Sequence, residues 1–268
     1  MPLIRDEGVV LTRVDYSETS QVIAVFTRTH GKVRAIAKGI KRGTKARFAV
    51  GIDLLDIGTI VAATRAERDA ALATVTEWKQ TRSLPGLREK LSRIQAAQYA
   101  AEITSHLTED WDPHDDLYDS FVALLIQLAD AAEPLPDVVR YQLALLDAVG
   151  SMPRFEVCAL CRRGEDLTYF SSFEGGMICR HCEAVQVEKR EVTAKTWRAL
   201  REGRFEPSND AHDGPRAETD DPVSPERVAR ASAIGPFSLL NYHIAHLMGR
   251  EPLLASKLVP PEERRILK

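Results

Sequence analysis

Residues 32–47 read KVRAIAKGIKRGTKAR and make up the stretch on which our interpretation of the fold rests. The first half alternates basic with small apolar residues, as a half-buried β-strand does. The second half is a loop with two glycines, Gly39 and Gly43, where the backbone can approach a ligand closely. The stretch has no acidic residue and seven basic ones: Lys32, Arg34, Lys38, Lys41, Arg42, Lys45 and Arg47.

This charge suits a polyanion such as nucleic acid, which a basic strand and loop can grip on one face. An edge strand also uses lysines, in that case to prevent aggregation with other strands. Composition alone leaves both interpretations open. The basic stretch is a local feature, because removing its seven charges from the net charge of −3 leaves −10 for the remaining residues.

The whole composition is that of a globular protein, with 44% apolar and 28% charged residues in 268. This length is sufficient for two domains with their own cores. The N-terminus shows no signal-peptide pattern, and the apolar run at 121–126 is far too short to span a bilayer. We therefore expect a cytoplasmic protein without a membrane segment.

The first 80 residues predict a small β-barrel domain. Turn residues separate short β-rich segments at 8–14, 21–27, 32–38, 53–63 and 74–79. Five short strands with a basic stretch fit an OB-fold, a common small barrel that grips single strands. An SH3-like barrel is the structural alternative.

Residues 81–268 predict a helical domain, since the apolar period changes after the Leu-Pro-Gly of 84–86. Three apolar stripes follow, within 87–94, 117–128 and 139–146, and a short helix is predicted over 193–203. The segment 204–225 is rich in proline and acidic residues, which predicts a flexible acidic loop. A final helix is expected after Pro236, with His243 and His246 as surface or capping residues.

Two C-x₂-C pairs, at 158–161 and 179–182, predict a zinc module over residues 155–185. Four thiolates close a tetrahedral site, so the metal is expected to be structural. A redox dithiol is the alternative, and His181 is a further possible ligand. The predicted ligands are Cys158, Cys161, Cys179 and Cys182.

The acidic cluster at 109–116 has two interpretations. Clustered carboxylates such as Asp110, Asp112, Asp115 and Asp116 can hold Mg²⁺ in a nuclease. Acidic residues also favour the N-terminus of a helix, where a loop precedes it. The sequence shows neither a phosphate-binding loop nor a nucleophile elbow. It therefore predicts a binding protein and no enzyme, with the nuclease and a zinc-containing protein adaptor as alternatives.

Ten short motifs follow one another along the chain: GVVL at 8–11, DYSE at 15–18, FTRTHGK at 26–32, KGIKR at 38–42, YAAE at 99–102, LYD at 117–119, LLDAVG at 145–150, GG at 175–176, LMGR at 247–250 and LASK at 254–257. In this order of motifs the chain resembles the RecO family of bacterial recombination mediators. It departs from the family at Ala46, where serine is common after the loop lysine, and in a longer acidic loop.

The resemblance implies an N-terminal OB-fold, followed by a helical domain with a zinc module. It implies binding of single- and double-stranded DNA, annealing of complementary strands, and work with RecR. It also implies that this pair helps RecA to replace single-strand-binding protein (SSB). On this basis we expect the acidic SSB tail to dock on the apolar face of 237–247, near Arg250 and Lys257.

For DNA we expect about four phosphate contacts, each contributing about −0.7 to the salt slope on a single strand. Alternate strand residues point to opposite sides, so not all seven cations face one ligand. Phe48 or Tyr16 is a candidate for base stacking, or either is barrel core. The contacts are expected chiefly from Lys38, Lys41, Arg42 and Lys45, with Arg34 and Arg47 flanking them.

Overall fold

The computed structural model describes residues 2–38, 52–64, 72–203, 205 and 224–263. By its internal contacts the chain divides into two compact units, Met1–Asp130 and Ala131–Lys268. The strands of unit 1 end at residue 82 and its helices begin at residue 86. None of the helices among the described residues is long and apolar enough to cross a membrane.

A closed five-stranded barrel forms the first part of unit 1. Its strands follow the order β1-β2-β3-β5-β4, and β4 closes the barrel against β1. All neighbours pair antiparallel except β3 and β5, which are parallel. The strands are β1 (Leu3–Asp15), β2 (Gln21–Thr27), β3 (Gly31–Ala37), β4 (Ile57–Ala63) and β5 (Ala73–Arg82).

The alternation read from residues 32–38 is confirmed in β3. Val33, Ala35 and Ala37 are buried in the barrel core, while Arg34 is exposed. Small residues in β3 leave room for the larger side chains of the other strands, including Ile23, Ile60 and Trp78, at the centre of the barrel. The strand thus keeps one apolar face inside and presents its charges outside.

Helices α1 (Gly86–Glu89), α2 (Leu91–Leu107) and α3 (Asp115–Asp130) complete unit 1. The outer face of β2 carries Phe26, whose ring lies 6.0 Å from that of Tyr118 and 6.5 Å from that of Phe121 on α3. These buried aromatic contacts hold α3 against the barrel. This packing explains why the contact-based unit extends to residue 130.

Unit 2 contains helices and a small three-stranded sheet of order β7-β6-β8. Helices α4 and α6 pack against each other, and α5 packs against α6. The elements are α4 (Leu135–Ala148), β6 (Leu167–Ser171), β7 (Gly176–Cys179), a 3₁₀ turn (Glu183–Val185), β8 (Arg190–Glu191), α5 (Ala194–Glu202), α6 (Pro225–Met248) and α7 (Ala255–Leu258).

Helix α5 confirms the helix predicted over 193–203. The Thr193 hydroxyl accepts a hydrogen bond from the Thr196 backbone N–H at 3.2 Å, and so caps the N-terminus. Gly203 ends the helix in the left-handed conformation, with φ of +66°.

The predicted start of the last helix after Pro236 is wrong. Helix α6 begins at Pro225, where the hydroxyl of Ser224 accepts the Arg227 N–H at 3.4 Å. Pro236 lies inside the helix, which lacks one backbone hydrogen bond there because proline has no N–H. The helix tolerates this because residues 233–241 are almost completely buried. Of the predicted acidic loop, 204 and 206–223 lie outside the described residues, whereas Phe205 is buried.

His243 also differs from its predicted surface position, whereas His246 is exposed as predicted. The His243 ring is buried, with Nδ1 2.7 Å from the Ser172 hydroxyl and Nε2 3.0 Å from the Ser151 carbonyl oxygen. It packs edge-on against Phe170 of β6. His243 therefore joins α6 to the small sheet.

Candidate nucleic-acid interface and metal centre

Two backbone turns bring the four cysteines together. In the first, the Cys158 N–H donates to the Arg163 carbonyl at 2.7 Å, and the Arg162 N–H donates to the Cys158 carbonyl at 3.0 Å. In the second, at the end of β7, the Cys182 N–H donates to the Cys179 carbonyl at 3.0 Å. The Ala159 N–H donates to Met177 at 2.8 Å and attaches the first turn to β7.

The four sulfur atoms all lie within 4.8 Å of one another. Those of Cys161 and Cys179 are 3.6 Å apart, and all four cysteines are free thiols. A tetrahedral zinc with Zn–S bonds of about 2.3 Å needs sulfur atoms about 3.8 Å apart. The sulfur positions therefore fit one metal ion, and they are the only such group among the described residues.

The thiol pKa values reflect this crowding. Burial raises the pKa of Cys158, but backbone N–H groups, chiefly of Cys161 and Cys179, bring it down to about 6. A hydrogen bond with Cys161 raises the pKa of Cys182 to about 12. Four thiolates this close repel one another, so a divalent cation is the partner that permits all four to ionise. His181 is exposed and lies outside the group.

Lys32, the first residue of the basic stretch, lies inside unit 1. Its ammonium donates to the carbonyl oxygens of Ser105 and Thr108, both at 2.6 Å, and lies 3.4 Å from a carboxylate oxygen of Asp110. Its side chain is only 11% exposed. Lys32 therefore neutralises the C-terminal end of α2 and is not oriented toward an external phosphate.

Arg34 and Lys38 remain on the outer surface of the barrel. The Arg34 side chain is 60% exposed and donates through Nε to Asp110 at 2.6 Å. Lys38 is exposed at the end of β3. Lys41, Arg42, Lys45 and Arg47, with Phe48, lie outside the described residues.

Tyr16 is a surface residue of the β1–β2 turn, with 70% of the residue exposed. The strand register places Gln21 of β2 opposite both Asp15 of β1 and Ala37 of β3. Tyr16 and Lys38, the next residues along, therefore lie at the same end of the barrel, on either side of β2. An exposed aromatic ring and an exposed cation occupy this end.

The acidic cluster at 109–116 is used within unit 1. Asp110 pairs with Arg34 and Lys32, and Asp112 lies 3.1 Å from His114. Asp115 and Asp116 occupy the first turn of α3, where carboxylates stabilise a helix. Within the described residues these acids do not converge on one point as a metal site. The geometry therefore does not support the nuclease interpretation.

The apolar face at 237–247 is not the open docking surface that the sequence predicted. Phe237, Leu240 and Ile244 are completely or almost completely buried in unit 2. This part of the face is core and is not available as a groove for a peptide. Sequence reasoning also missed Asp110 as the partner of β3, because the two segments are 76 residues apart.

Family models described as Recombination protein O match in two parts, the N terminal over residues 1–84 and the C terminal over residues 88–204. A protein named DNA repair protein RecO from Anaeromyxobacter dehalogenans is 38% identical over 186 residues, which are 68% of this chain and 71% of the relative. Its namesake from Bacillus cytotoxicus is 30% identical over 178 residues, 66% of this chain and 70% of the relative.

These matches define a protein of the DNA repair and recombination class. The chain belongs to the RecO family.

Proposed function

We propose that this protein is a DNA-binding recombination mediator without enzymatic activity, which anneals complementary single strands in the cytoplasm. The observation that supports this most directly is the end of the barrel that exposes Tyr16 on one side of β2 and Lys38 on the other, in a chain of the RecO family. An aromatic ring among cations is the usual arrangement for binding single strands without sequence preference.

The barrel is best interpreted as an OB-fold. A five-stranded Greek-key barrel of this kind binds oligonucleotides with the face of its second and third strands and with its β1–β2 and β4–β5 loops. The strand order β1-β2-β3-β5-β4 with parallel β3 and β5 supports this interpretation. Tyr16 lies in the first of those loops, and Arg34 lies on the third strand.

The proposed DNA contacts are Arg34, Lys38, Lys41, Arg42, Lys45 and Arg47. Lys32 is left out because its ammonium is already bonded within unit 1. Arg34 contributes less than an unpaired arginine, because Asp110 neutralises part of its charge. The residues outside the stretch 32–47 carry a net charge of −10, so phosphates are attracted to this stretch and repelled from most other surfaces.

The cysteine cluster is proposed to hold one structural zinc ion. Zinc supplies a tetrahedral link among four sulfur atoms and leaves no position for a substrate. Cys158 and Cys161 hold the first turn, and Cys179 and Cys182 hold the second. The link therefore fixes the end of β7 to the loop before β6.

The family suggests the partners. We infer that the protein works with RecR, and that together they help RecA assemble on SSB-coated single-stranded DNA of the nucleoid. The acidic SSB tail remains a proposed ligand, although the buried face at 237–244 is not its groove. The protein is also proposed to bind double-stranded DNA, since annealing produces a duplex.

The test is the salt dependence of binding to a labelled single-stranded oligonucleotide. About four phosphate contacts predict a slope of log affinity against log salt of roughly −3. Replacing Lys41 and Arg42 together by alanine should flatten the slope by about 1.4, since each contact contributes about −0.7. All sequences should be weakened alike.

The matched control replaces two exposed cations outside the stretch, Lys90 and Arg227, which changes the net charge by the same amount. This control should keep the wild-type slope. If the Lys41 and Arg42 variant keeps the wild-type affinity and salt slope, the basic stretch only protects an edge strand from aggregation, and the proposal is wrong.

A further inference from the structure

Helix α5 carries a basic surface in unit 2 that the proposed barrel site does not include. Its exposed cations are Lys195, Arg198 and Arg201, spaced three residues apart and therefore on one face. The opposite face buries Thr196 and Leu200. The helix contains one carboxylate, Glu202, so its exposed face is strongly cationic.

Trp197 and Arg154 extend this surface. The guanidinium of Arg201 lies 5.2 Å from the centre of the Trp197 ring, and the Trp197 indole N–H donates to the Phe155 carbonyl at 2.8 Å. That bond holds the backbone at Phe155 against the helix, and the exposed Arg154 is the residue before it. Arg154 is itself fixed, because its backbone pairs with Gly175 and Met177.

Among the residues that the structure describes, the cations of this surface have no carboxylate partner, unlike many other cations. Within the described part of the chain, Arg13, Arg28, Arg88, Lys189 and Arg230 all form ion pairs. No ion pair is formed there by Arg154, Lys195, Arg198 or Arg201. Unpaired cations on a rigid helix with an indole among them are suited to an external polyanion.

The arginines beside the cysteines are a different case. Arg162, Arg163 and Arg180 are also exposed, but Glu165 and Asp166 lie in the same loops. A divalent ion with four thiolates would add two negative charges at this place. The charges there are therefore balanced within the module, whereas those of α5 are not.

We propose that the α5 surface, consisting of Arg154, Lys195, Trp197, Arg198 and Arg201, is a second nucleic-acid site that binds the phosphates of a second strand. Lys195 and Arg201 are about 9 Å apart along the helix axis. A strand in a duplex has one phosphate about every 3.4 Å along the axis, so this face spans about two or three phosphates. The inference rests on the proposed annealing function, because annealing requires two strands on one protein.

The experiment measures how many short, non-complementary single-stranded oligonucleotides bind each chain at low salt. The wild type should bind two. The variant in which Lys195 and Arg198 become alanine should bind one, and the Lys41 and Arg42 variant should also bind one, at the other site. The Lys90 and Arg227 control should bind two.

Two further readouts identify the α5 site. Tryptophan fluorescence should be quenched by the oligonucleotide in the Lys41 and Arg42 variant, and this quenching should disappear when Trp197 is replaced by phenylalanine. Strand annealing by the Lys195 and Arg198 variant should be roughly ten- to thirtyfold slower at 0.1 M salt, as expected for two lost contacts. Alanine favours helix, so thermal unfolding should be unchanged.

If the Lys195 and Arg198 variant still binds two oligonucleotides and anneals strands normally, this inference is wrong and the proposed function remains intact. Wild-type behaviour of both double variants would overturn both. If polyglutamate binds the α5 surface and the oligonucleotide does not, the ligand is an acidic protein segment, and the nucleic-acid assignment is wrong.

Discussion

The ammonium group of Lys32 on β3 lies 2.6 Å from the carbonyl oxygen of Thr108 at the end of α2. The same ammonium donates to Ser105 and lies near Asp110, so one cation satisfies the negative end of a helix. A residue that reads as part of a DNA-binding stretch thus fixes the barrel to the segment after α2. Five predictions follow from such contacts.

Replacing Lys32 by methionine should destabilise unit 1 by about 2–4 kcal/mol, because hydrogen bonds of a buried charge to two carbonyl groups are lost. Replacing Arg34 by alanine should cost at most about 1 kcal/mol, since its ion pair is largely exposed. Urea unfolding measures both. Under folding conditions the Lys32 variant should bind oligonucleotide normally, and a flattened salt slope would instead show a direct phosphate contact.

Gly31 and Gly150 provide a matched pair for alanine substitution. Both have positive φ, +68° and +69°, but a Cβ at Gly31 would lie 2.0 Å from the Asp112 carbonyl oxygen, while nothing lies within 4 Å at Gly150. Gly150→Ala should therefore destabilise by about 1–2 kcal/mol, the cost of a left-handed alanine. Gly31→Ala should cost considerably more. Equal effects in denaturant unfolding would mean that β3 does not pack closely on the segment at 112.

Stacking of a base on Tyr16 should contribute to the affinity for single strands without changing its dependence on salt. Tyr16→Ala should weaken single-strand binding by about 1–3 kcal/mol and leave the salt slope unchanged. Tyr16→Phe keeps the ring and should retain the affinity. An affinity loss that is equal in the two variants would implicate the hydroxyl group instead of the ring.

Metal analysis of the purified protein should find one zinc per chain. Because the ligands converge only in the folded module, removal by a chelator should increase hydrogen exchange over residues 158–182. Binding of an oligonucleotide to the barrel should persist. Protein without zinc, and with the cysteines in disulfides, would contradict the structural zinc.

The stability of unit 2 should decrease below about pH 6.5 through His243. Burial lowers the pKa of His243, against the opposing effect of the Ser151 carbonyl, with smaller effects of His246 and Glu188. At a pH between the two pKa values, the unfolded chain binds a proton that the folded chain does not. The contribution of His243 to the free energy of unfolding is therefore fully present above its unfolded pKa. It is lost as the pH falls from there through the lower, folded pKa.

Unfolding of His243→Gln between pH 5 and 8 should show a weaker pH dependence than the wild type. The comparison variant His246→Gln removes an exposed histidine with only a smaller effect on the pKa of His243, and should change the profile much less than His243→Gln. Identical profiles in all three proteins would assign the pH dependence to groups other than His243.

The sequence by itself determined the local elements and the grouping of the four cysteines. Strand β2 has the predicted bounds, because a short β-rich run between turn residues is a local signal. The four cysteines converge as predicted, since each C-x₂-C pair folds as its own turn and only two such pairs are present. Helix α5 was likewise visible in its capping residues, Thr193 and Gly203.

Only the tertiary structure decided which charged and polar residues are internal. Lys32 and Lys38 look alike in sequence, yet one is buried against α2 and the other is exposed, because the partner of Lys32 is 76 residues away. His243 is buried for the same reason, since its contacts come from residues 151 and 172. The start of α6 was predicted wrongly at Pro236, because burial of the neighbouring residues compensates for the hydrogen bond that proline loses. Burial is a property of the whole unit and cannot be read from the local sequence.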